Sequence, residues 1–135
     1  MTSRLHYWIP VAGYTTLIFY LSAQSHPEQE LPSFIMLLGD KLLHGIEYAV
    51  LGGLCYRAFR WGTNDRLARH ALLLAILASS FYGMTDEVHQ WFVPFRESTW
   101  QDWIADIAGA SIGAAAFHWI EACLMTGGLS VRPPS

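Results

Sequence analysis

Four long apolar segments restrict what this chain can fold into more than any other feature of its sequence. They cover residues 5–24, 42–59, 67–90 and 103–125. A helix over Leu5 to Ala23 contains no Asp, Glu, Lys or Arg, and it is long enough to cross ~30 Å of hydrocarbon at ~1.5 Å per residue. A soluble helical bundle needs polar faces that repeat every 3.6 residues, and stretches such as Ala71 to Ala78 have none. We therefore predict an all-α membrane protein with four transmembrane helices in one bundle.

The composition agrees with this class and excludes others. The 135 residues suffice for one domain, so we treat residues 1–135 as a single transmembrane domain. Only 14% of the residues are charged, against about 25% in soluble proteins, which excludes a disordered chain or one that coats nucleic acid. Cys55 and Cys123 fall in apolar segments without CxxC or Cys/His spacing, so we expect both to be buried and predict no disulfide or zinc ribbon.

The first apolar segment also shares features with a signal peptide, because Arg4 precedes it. A cleavage site after Ala23 would place Leu21 at the −3 position, where small residues are preferred. The run is also long for the apolar region of a signal peptide. We therefore interpret it as the first membrane span.

The distribution of charge predicts the orientation of the bundle. Six of the eight basic residues lie at the two termini and in the loop between the second and third segments, with only two acidic residues on that side. The opposite side has nine acidic residues and two basic ones, Lys41 and Arg96. The positive-inside rule then places both termini and the middle loop in the cytoplasm. The net charge of −3 thus combines a basic inner side with an acidic outer side.

The outer half of the second segment carries a polar stripe. Asp40, His44, Glu47 and Tyr48 are spaced i, i+4, i+7 and i+8, so they share one helix face. A charge at the depth of Glu47 costs about 2.5 kcal/mol or more unless it faces protein or water. We therefore expect this face to point into the bundle.

The third segment and the loop after it add a second polar group. Glu87 and Gln90 form an i, i+3 pair, and we expect Asp86 and His89 to be displaced around the helix from them. Arg96 is the only basic residue of the second outer loop. In this acidic surrounding it is expected either to pair with a carboxylate or to bind an anionic ligand.

The fourth segment combines carboxylates with small residues. Asp102, Asp106, Gly109 and Gly113 share a face, and the two glycines predict close helix packing rather than a binding site. Near the inner end, we expect the side chains at 118 and 121 to contact each other or lipid headgroups.

Three segments thus bring ionisable residues to the same depth. Asp, Glu and His side chains can bind a divalent metal, and carboxylates also perform acid–base chemistry. The alternative is a polar clamp that holds the helices together without a ligand. Residue spacing leaves both open, because no HExxH, GxSxG or P-loop motif is present.

The order and spacing of these residues resemble the VanZ-like family of small bacterial membrane proteins. The matching motifs are Ser22-x-Gln24, Asp40-Lys41-x-x-His44-x-x-x-Tyr48, Glu87-x-x-Gln90-x-Phe92-x-Pro94-x-Arg96 and Asp102-x-x-x-Asp106-x-x-Gly109. The family usually has Asn at the position of Asp106, so this chain carries an additional carboxylate there.

The resemblance implies an integral protein of the bacterial cytoplasmic membrane, in a family whose named member is associated with resistance to the glycopeptide teicoplanin. It implies no mechanism. The motif positions all lie on the predicted outer side, where lipid-linked envelope precursors meet the membrane.

Together, the residues and the resemblance predict an outward-facing pocket that binds or modifies a cell-envelope amphiphile. The candidate catalytic residues are His44, Glu87 and Asp102, and the candidate substrate-binding residues are Lys41, Tyr48, Gln90 and Arg96. A divalent metal, as the candidate cofactor, would be bound by Asp40, His44, Glu87 and Asp102. If the chain is an enzyme, it is an acid–base or metal-assisted one acting on membrane lipids or lipid-linked precursors. The alternative is a non-catalytic membrane accessory protein whose polar residues form the clamp. We expect no nucleic-acid partner.

Overall fold

A computed structural model describes residues 4–25, 39–96 and 98–127, apart from the side chain of Asp40. All regular elements within these ranges are helical. A 3₁₀ turn at Leu5–Tyr7 is followed by α1 (Ile9–Ser22), α2 (Asp40–Trp61), α3 (Asp65–Ala68), α4 (Ala71–Trp91) and α5 (Trp100–Thr126). The all-α prediction is confirmed over the described ranges, with one short helix, α3, in addition to the four expected.

The first helix is shorter than the predicted 5–24. It begins at Ile9 with Pro10 in its first turn, a position where the missing proline N–H has no intrahelical partner to lose. Its 14 residues cover about 21 Å, less than the hydrocarbon core of a bilayer. The length of α1 therefore does not by itself establish a span.

Side-chain caps explain two other helix boundaries. The Asn64 side chain accepts a hydrogen bond from the N–H of Leu67 at 3.1 Å, which starts the short α3 and separates it from α2. Thr99 caps α5 in the same way and accepts from the N–H of Asp102 at 3.4 Å. Because of this cap, α5 begins three residues before the predicted start at 103.

The four long helices alternate in direction. At one end of the bundle, the Ser22 hydroxyl at the end of α1 lies 3.2 Å from Nδ1 of His89 near the end of α4. At the other end, Trp8 before α1 donates to the carbonyl of Gly62 after α2. We call the first the site end and the second the arginine end, because Arg60 and Arg69 lie there. The site end thus contains the start of α2, the end of α4 and the start of α5.

Helices α2 and α5 pack with their backbones in contact. An ideal Cβ atom on Gly109 or Gly113 of α5 would overlap the carbonyl of Gly45 or Ala49 of α2. A Cβ on Gly52 of α2 would overlap the backbone of α5 in the same way. The packing role predicted for the two glycines of α5 is confirmed. This contact also fixes which residues of α2 and α5 lie opposite each other.

The outward faces of α4 and α5 are rich in large apolar side chains. Leu73, Leu77, Phe81, Ile112 and Trp119 are all more than half exposed. By length and composition, two described helices could cross a membrane, namely α4 and α5. The finding fits a membrane protein, and the predicted four-span arrangement goes beyond it.

The two cysteines differ in environment. Both are free thiols; Cys55 of α2 is buried as expected, whereas Cys123 is exposed. The prediction for Cys123 is wrong because the second half of α5 lies at the bundle surface, where residues 115–120 are all exposed.

Candidate functional site

Three buried side chains from three helices meet at the site end. Nδ1 of His44 on α2 lies 3.0 Å from Oδ1 of Asp106 on α5 and 3.9 Å from Oε1 of Glu87 on α4. His44 and Glu87 are 6% and 7% exposed, and Asp106 is fully buried. We call these three residues the polar cluster. It brings together the predicted His44 and Glu87, with Asp106 in place of the predicted Asp102.

Each carboxylate of the polar cluster has one oxygen without a hydrogen-bond partner. These atoms are Oε1 of Glu87 and Oδ2 of Asp106, and both are buried. The other Glu87 oxygen, Oε2, accepts from the Ser98 hydroxyl at 2.8 Å. Ser98 therefore fixes the orientation of the Glu87 carboxylate and leaves Oε1 towards His44. A buried carboxylate oxygen without a partner costs about 1–3 kcal/mol or more, so these atoms indicate where a ligand would bind.

Tyr48 lies deeper, beside the polar cluster. Its side chain is fully buried and its hydroxyl has no hydrogen-bond partner. A Cβ on Gly83 of α4 would come within 2.9 Å of Oδ2 of Asp106 and 3.2 Å of the Tyr48 ring. Glycine at 83 therefore leaves room for both groups, and any side chain there would crowd them.

Asp86 also faces the inside of the bundle. It is buried beside Gln90, whose side-chain amide donates to Oδ2 of Asp86 at 3.1 Å, while Oδ1 of Asp86 has no partner. Asp86 and Glu87 point in different directions from α4, and both are buried because α4 is enclosed on two sides at its end. The predicted ligand residue Gln90 thus holds Asp86 in place.

Asp102 belongs to a separate pair. Its Oδ1 accepts from Nζ of Lys41 at 2.8 Å, and its Oδ2 accepts from the Thr99 hydroxyl at 2.5 Å. Both carboxylate oxygens therefore already have hydrogen-bond donors. The structure joins the candidate catalytic residue Asp102 to the candidate binding residue Lys41, and neither lies in the polar cluster.

Arg96 follows α4 in the loop before α5. Its Nε atom is buried and makes no hydrogen bond, and its positive charge lies close enough to act on the carboxylate of Glu47. Binding of an anionic ligand by Arg96 stays a prediction.

A set of ligand atoms suited to one metal ion is present, but it differs from the predicted set. One ligand atom each from His44, Glu87 and Asp106 can be chosen so that all three lie within 4.8 Å of one another. Asp102 is not a member of this set. The side chain of Asp40, the remaining predicted ligand, lies outside the described residues.

A mostly apolar cavity of about 160 Å³ opens at the surface between α4 and α5, and Glu87 of the polar cluster is part of its lining. Its walls include the side chains of Trp91, Trp100 and Trp103, and its polar lining is formed by Glu87, Ser98 and Thr99. Trp103 is held by a hydrogen bond from its indole N–H to the carbonyl of Ser80 at 2.9 Å. The cavity thus offers aromatic walls with a carboxylate at one side, a combination suited to an amphiphilic group.

The arginine end has its own hydrogen-bonded group. The Tyr56 hydroxyl donates to Glu121 and lies 3.0 Å from Nδ1 of His118, while Nε of Arg60 donates to Glu121 at 2.7 Å. The expected direct contact between His118 and Glu121 is therefore replaced by a bridge through Tyr56. Glu121 has both oxygens satisfied, in contrast to Glu87 at the site end.

Sequence reasoning missed Asp106 as a member of the site, although it placed this residue on the correct helix face. The available signal was its spacing from the packing glycines. Asp106 lies three residues before Gly109, at the closest approach of α5 to Gly45, and His44 immediately precedes Gly45. Asp102 lies one helical turn further than Asp106 from this contact.

Comparison with known proteins gives one finding. A family model described as VanZ/LLP1 matches residues 2–121, which is most of the chain. Neither the curated proteins nor the solved structures yield a significant match.

Proposed function

The chain belongs to the VanZ-like family, and from that premise we propose that it is a multi-pass protein of the bacterial cytoplasmic membrane that binds or modifies a cell-envelope amphiphile. The ligand-binding site is the polar cluster together with the tryptophan-lined cavity. In this proposal the chain crosses the membrane four times, both termini are cytoplasmic, and the site end faces outward. Modification of the amphiphile, rather than binding alone, is the enzymatic form of the same proposal.

The observation that carries the proposal is the connection between the cavity and the unpartnered buried oxygens. Glu87 belongs to both: the residue lines the cavity, and its Oε1 lies 3.9 Å from Nδ1 of His44 without a hydrogen bond. A group that enters past the indole rings therefore reaches Glu87, whose Oε2 accepts from Ser98 and whose buried Oε1 lacks a hydrogen-bond donor. A ligand with an apolar part and a polar group with hydrogen-bond donors matches both surfaces.

Each neighbouring residue has a role in this proposal. Trp91 and Trp100 are more than two-thirds exposed and provide apolar surface at the depth where tryptophans favour the membrane interface. Arg96 binds an anionic group of the ligand, such as a phosphate or carboxylate. In the enzymatic form, Glu87 or His44 is the general base: Glu87 lines the cavity, and His44 lies behind it with Nδ1 3.9 Å from Oε1 of Glu87.

The distribution of charge supports the orientation. Arg57, Arg60, Arg66 and Arg69 all lie at or near the arginine end, in or beside the loop between α2 and α4. The positive-inside rule assigns this end to the cytoplasm. Together with the alternation of helix directions, this assignment supports an extracytoplasmic polar cluster.

The test compares the lipids bound to two variants that each lose one buried carboxylate. The protein is extracted in polymer nanodiscs, and mass spectrometry gives the enrichment of each lipid over the bulk membrane. We expect the wild type to enrich one class of envelope amphiphile. Glu87→Gln should reduce this enrichment about tenfold or more, because a hydrogen bond to a charged group contributes about 1.5–3 kcal/mol. The matched control Glu121→Gln, at the arginine end, should retain it.

Two results would contradict the proposal. One is a wild-type lipid profile identical to that of the bulk membrane, and the other is equal enrichment by Glu87→Gln and Glu121→Gln. The teicoplanin susceptibility of cells producing the same variants at equal abundance tests a link to glycopeptide resistance. Unchanged susceptibility with both Glu87→Ala and His44→Ala would rule out catalysis by these residues as its basis.

A second candidate function is that of a non-catalytic accessory protein whose polar residues are an interhelical clamp. It is favoured by the hydrogen bond between His44 and Asp106 and by the ion pair between Lys41 and Asp102, which both join α2 to α5. A clamp predicts that Glu87→Gln lowers the unfolding temperature while the lipid profile stays that of the wild type. A ligand site predicts instead that Glu87→Gln changes the lipid profile while the unfolding temperature stays that of the wild type.

A further inference from the structure

The polar cluster contains more negative charge than its surroundings can balance. Glu47, Asp86, Glu87 and Asp106 place four carboxylates in this region, and the cationic side chains near them in the described part of the chain are Arg96 and, when protonated, His44. Lys41 is paired with Asp102 and does not offset this charge. Burying carboxylates without compensation is costly in a low-dielectric interior, so the cluster requires a cation or protons.

We propose that His44, Glu87 and Asp106 bind one divalent transition-metal ion. The structure assigns Nδ1 of His44 and one oxygen of each carboxylate as the ligands. This set replaces Asp102, which the sequence had suggested, with Asp106. The metal site deepens the proposed function, since a bound ion would lie next to the cavity that receives the amphiphile, but it does not depend on that function.

The separations of the ligand atoms suit one ion. Protein ligands of zinc lie about 2.0–2.2 Å from the metal, so two ligands of one ion are at most about 4.4 Å apart. Nδ1 of His44 is 3.0 Å from Oδ1 of Asp106 and 3.9 Å from Oε1 of Glu87, and both distances are within that limit. All three ligand atoms lie within 4.8 Å of one another, so small rotations of the carboxylates suffice for shared binding.

The unpartnered oxygens provide an independent indication of a ligand. Asp106 is fully buried, and its Oδ2 has no hydrogen-bond partner. Glu87 is 7% exposed and its Oε1 has none, although Ser98 binds its other oxygen. A hydrogen-bonded clamp would satisfy these atoms, as Tyr56 and Arg60 satisfy both oxygens of Glu121 at the arginine end. The Ser98 hydroxyl acts as the outer partner that orients a metal-binding carboxylate.

The donor types favour zinc or a similar ion over magnesium. Imidazole nitrogen suits transition metals, whereas magnesium prefers six oxygen ligands and retains several waters. Three protein ligands also leave a fourth position open, as in catalytic zinc sites. Because Nδ1 must be deprotonated to bind the metal, uptake releases a proton from His44 when Nδ1 carries one.

The experiment measures zinc binding to the full-length protein in detergent. The protein is purified without a histidine tag and stripped with a chelator, and its zinc stoichiometry and affinity are then determined. We expect one zinc ion per chain in the wild type. His44→Gln and Asp106→Asn should weaken binding by at least about 10–100-fold, the loss typical of removing even an outer-shell partner.

Two matched variants control for general effects of each substitution. His118→Gln removes a histidine at the arginine end, and Asp102→Asn removes the carboxylate bound to Lys41. Both should bind zinc as the wild type does. If His44→Gln or Asp106→Asn fails to fold, two measurements still show whether the protein binds zinc. They are the zinc stoichiometry of the wild type and the zinc-dependent rise in the unfolding temperature of His118→Gln.

The proposal is overturned if the wild type takes up no stoichiometric zinc, or if Asp106→Asn binds it as tightly as Asp102→Asn. Loss of zinc binding by Asp102→Asn with retention by Asp106→Asn would also overturn it. Lipid enrichment without zinc uptake would refute the metal site and leave the proposed function standing. Zinc uptake without lipid enrichment would support the metal site and contradict the proposed function.

Discussion

The contact between α2 and α5 makes a quantitative prediction about Gly109→Ala. An ideal Cβ at this position would lie 2.8 Å from Cα of Gly45 and closer still to its carbonyl carbon and oxygen. These are backbone atoms, so no side-chain rotation can relieve the overlap and the two helices must separate. Overpacking of this kind costs about 1–3 kcal/mol. The higher helix propensity of alanine returns about 0.8–1.0 kcal/mol.

We therefore expect Gly109→Ala to lower the free energy of unfolding by up to about 2 kcal/mol. Gly13→Ala on α1 is the matched control, because a Cβ there meets nothing within 4 Å. That variant should be as stable as the wild type or up to about 1 kcal/mol more stable. Thermal unfolding in detergent or nanodiscs measures both, and a difference of this size corresponds to several degrees.

The same substitution also tests the link between packing and the site. The polar cluster is built across α2 and α5, so separation of these helices should lengthen the His44 to Asp106 contact and weaken zinc binding. Equal stability of Gly109→Ala and Gly13→Ala would refute the close packing. Lower stability with unchanged zinc binding would instead show that the site does not depend on this contact.

Three further substitutions have defined outcomes. Arg60→Ala should destabilise the protein by about 1–3 kcal/mol, because buried Glu121 loses the Arg60 donor at 2.7 Å. In the same unfolding assay, the double variant Arg60→Ala with Glu121→Gln should recover part of this loss. Thr99→Ala should cost about 1 kcal/mol by removing the cap of α5, and amide hydrogen exchange should increase in the first turn of α5 and not at its end. Tyr48→Phe should leave the unfolding temperature of the ligand-free protein unchanged or raise it, since the hydroxyl it removes is buried without a partner; a clear drop would show that this hydroxyl is satisfied.

The fold could be predicted from the sequence to the level of helices and their alternation. Apolar segments located the four long helices. The arginines between the second and third segments predicted that these two segments run in opposite directions. Helix boundaries required local chemistry that periodicity does not report. Pro10 shortens α1, Asn64 creates α3, and Thr99 starts α5 earlier than the apolar pattern does.

The site could be predicted only up to the axial register of the helices. Helical spacing placed Asp102 and Asp106 on one face, but a shift of one turn, about 5.4 Å, decides which of them meets His44. That register is set by the contact of Gly109 with Gly45, a tertiary interaction that sequence periodicity does not encode. The burial of Asp86 was missed for the same reason, since it depends on how α4 rotates against its neighbours.

The proposal of a cell-envelope ligand depends most directly on which side of the membrane the site end faces. It can be measured by labelling single cysteines with a membrane-impermeant maleimide in intact cells, in a background where the native thiols at 55 and 123 are replaced by serine. Phe95→Cys in the second outer loop and Asn64→Cys between α2 and α3 both replace exposed side chains. We predict that Phe95→Cys is labelled in intact cells and that Asn64→Cys is labelled only after lysis. Labelling of Asn64→Cys but not of Phe95→Cys in intact cells would place the polar cluster in the cytoplasm and contradict the account.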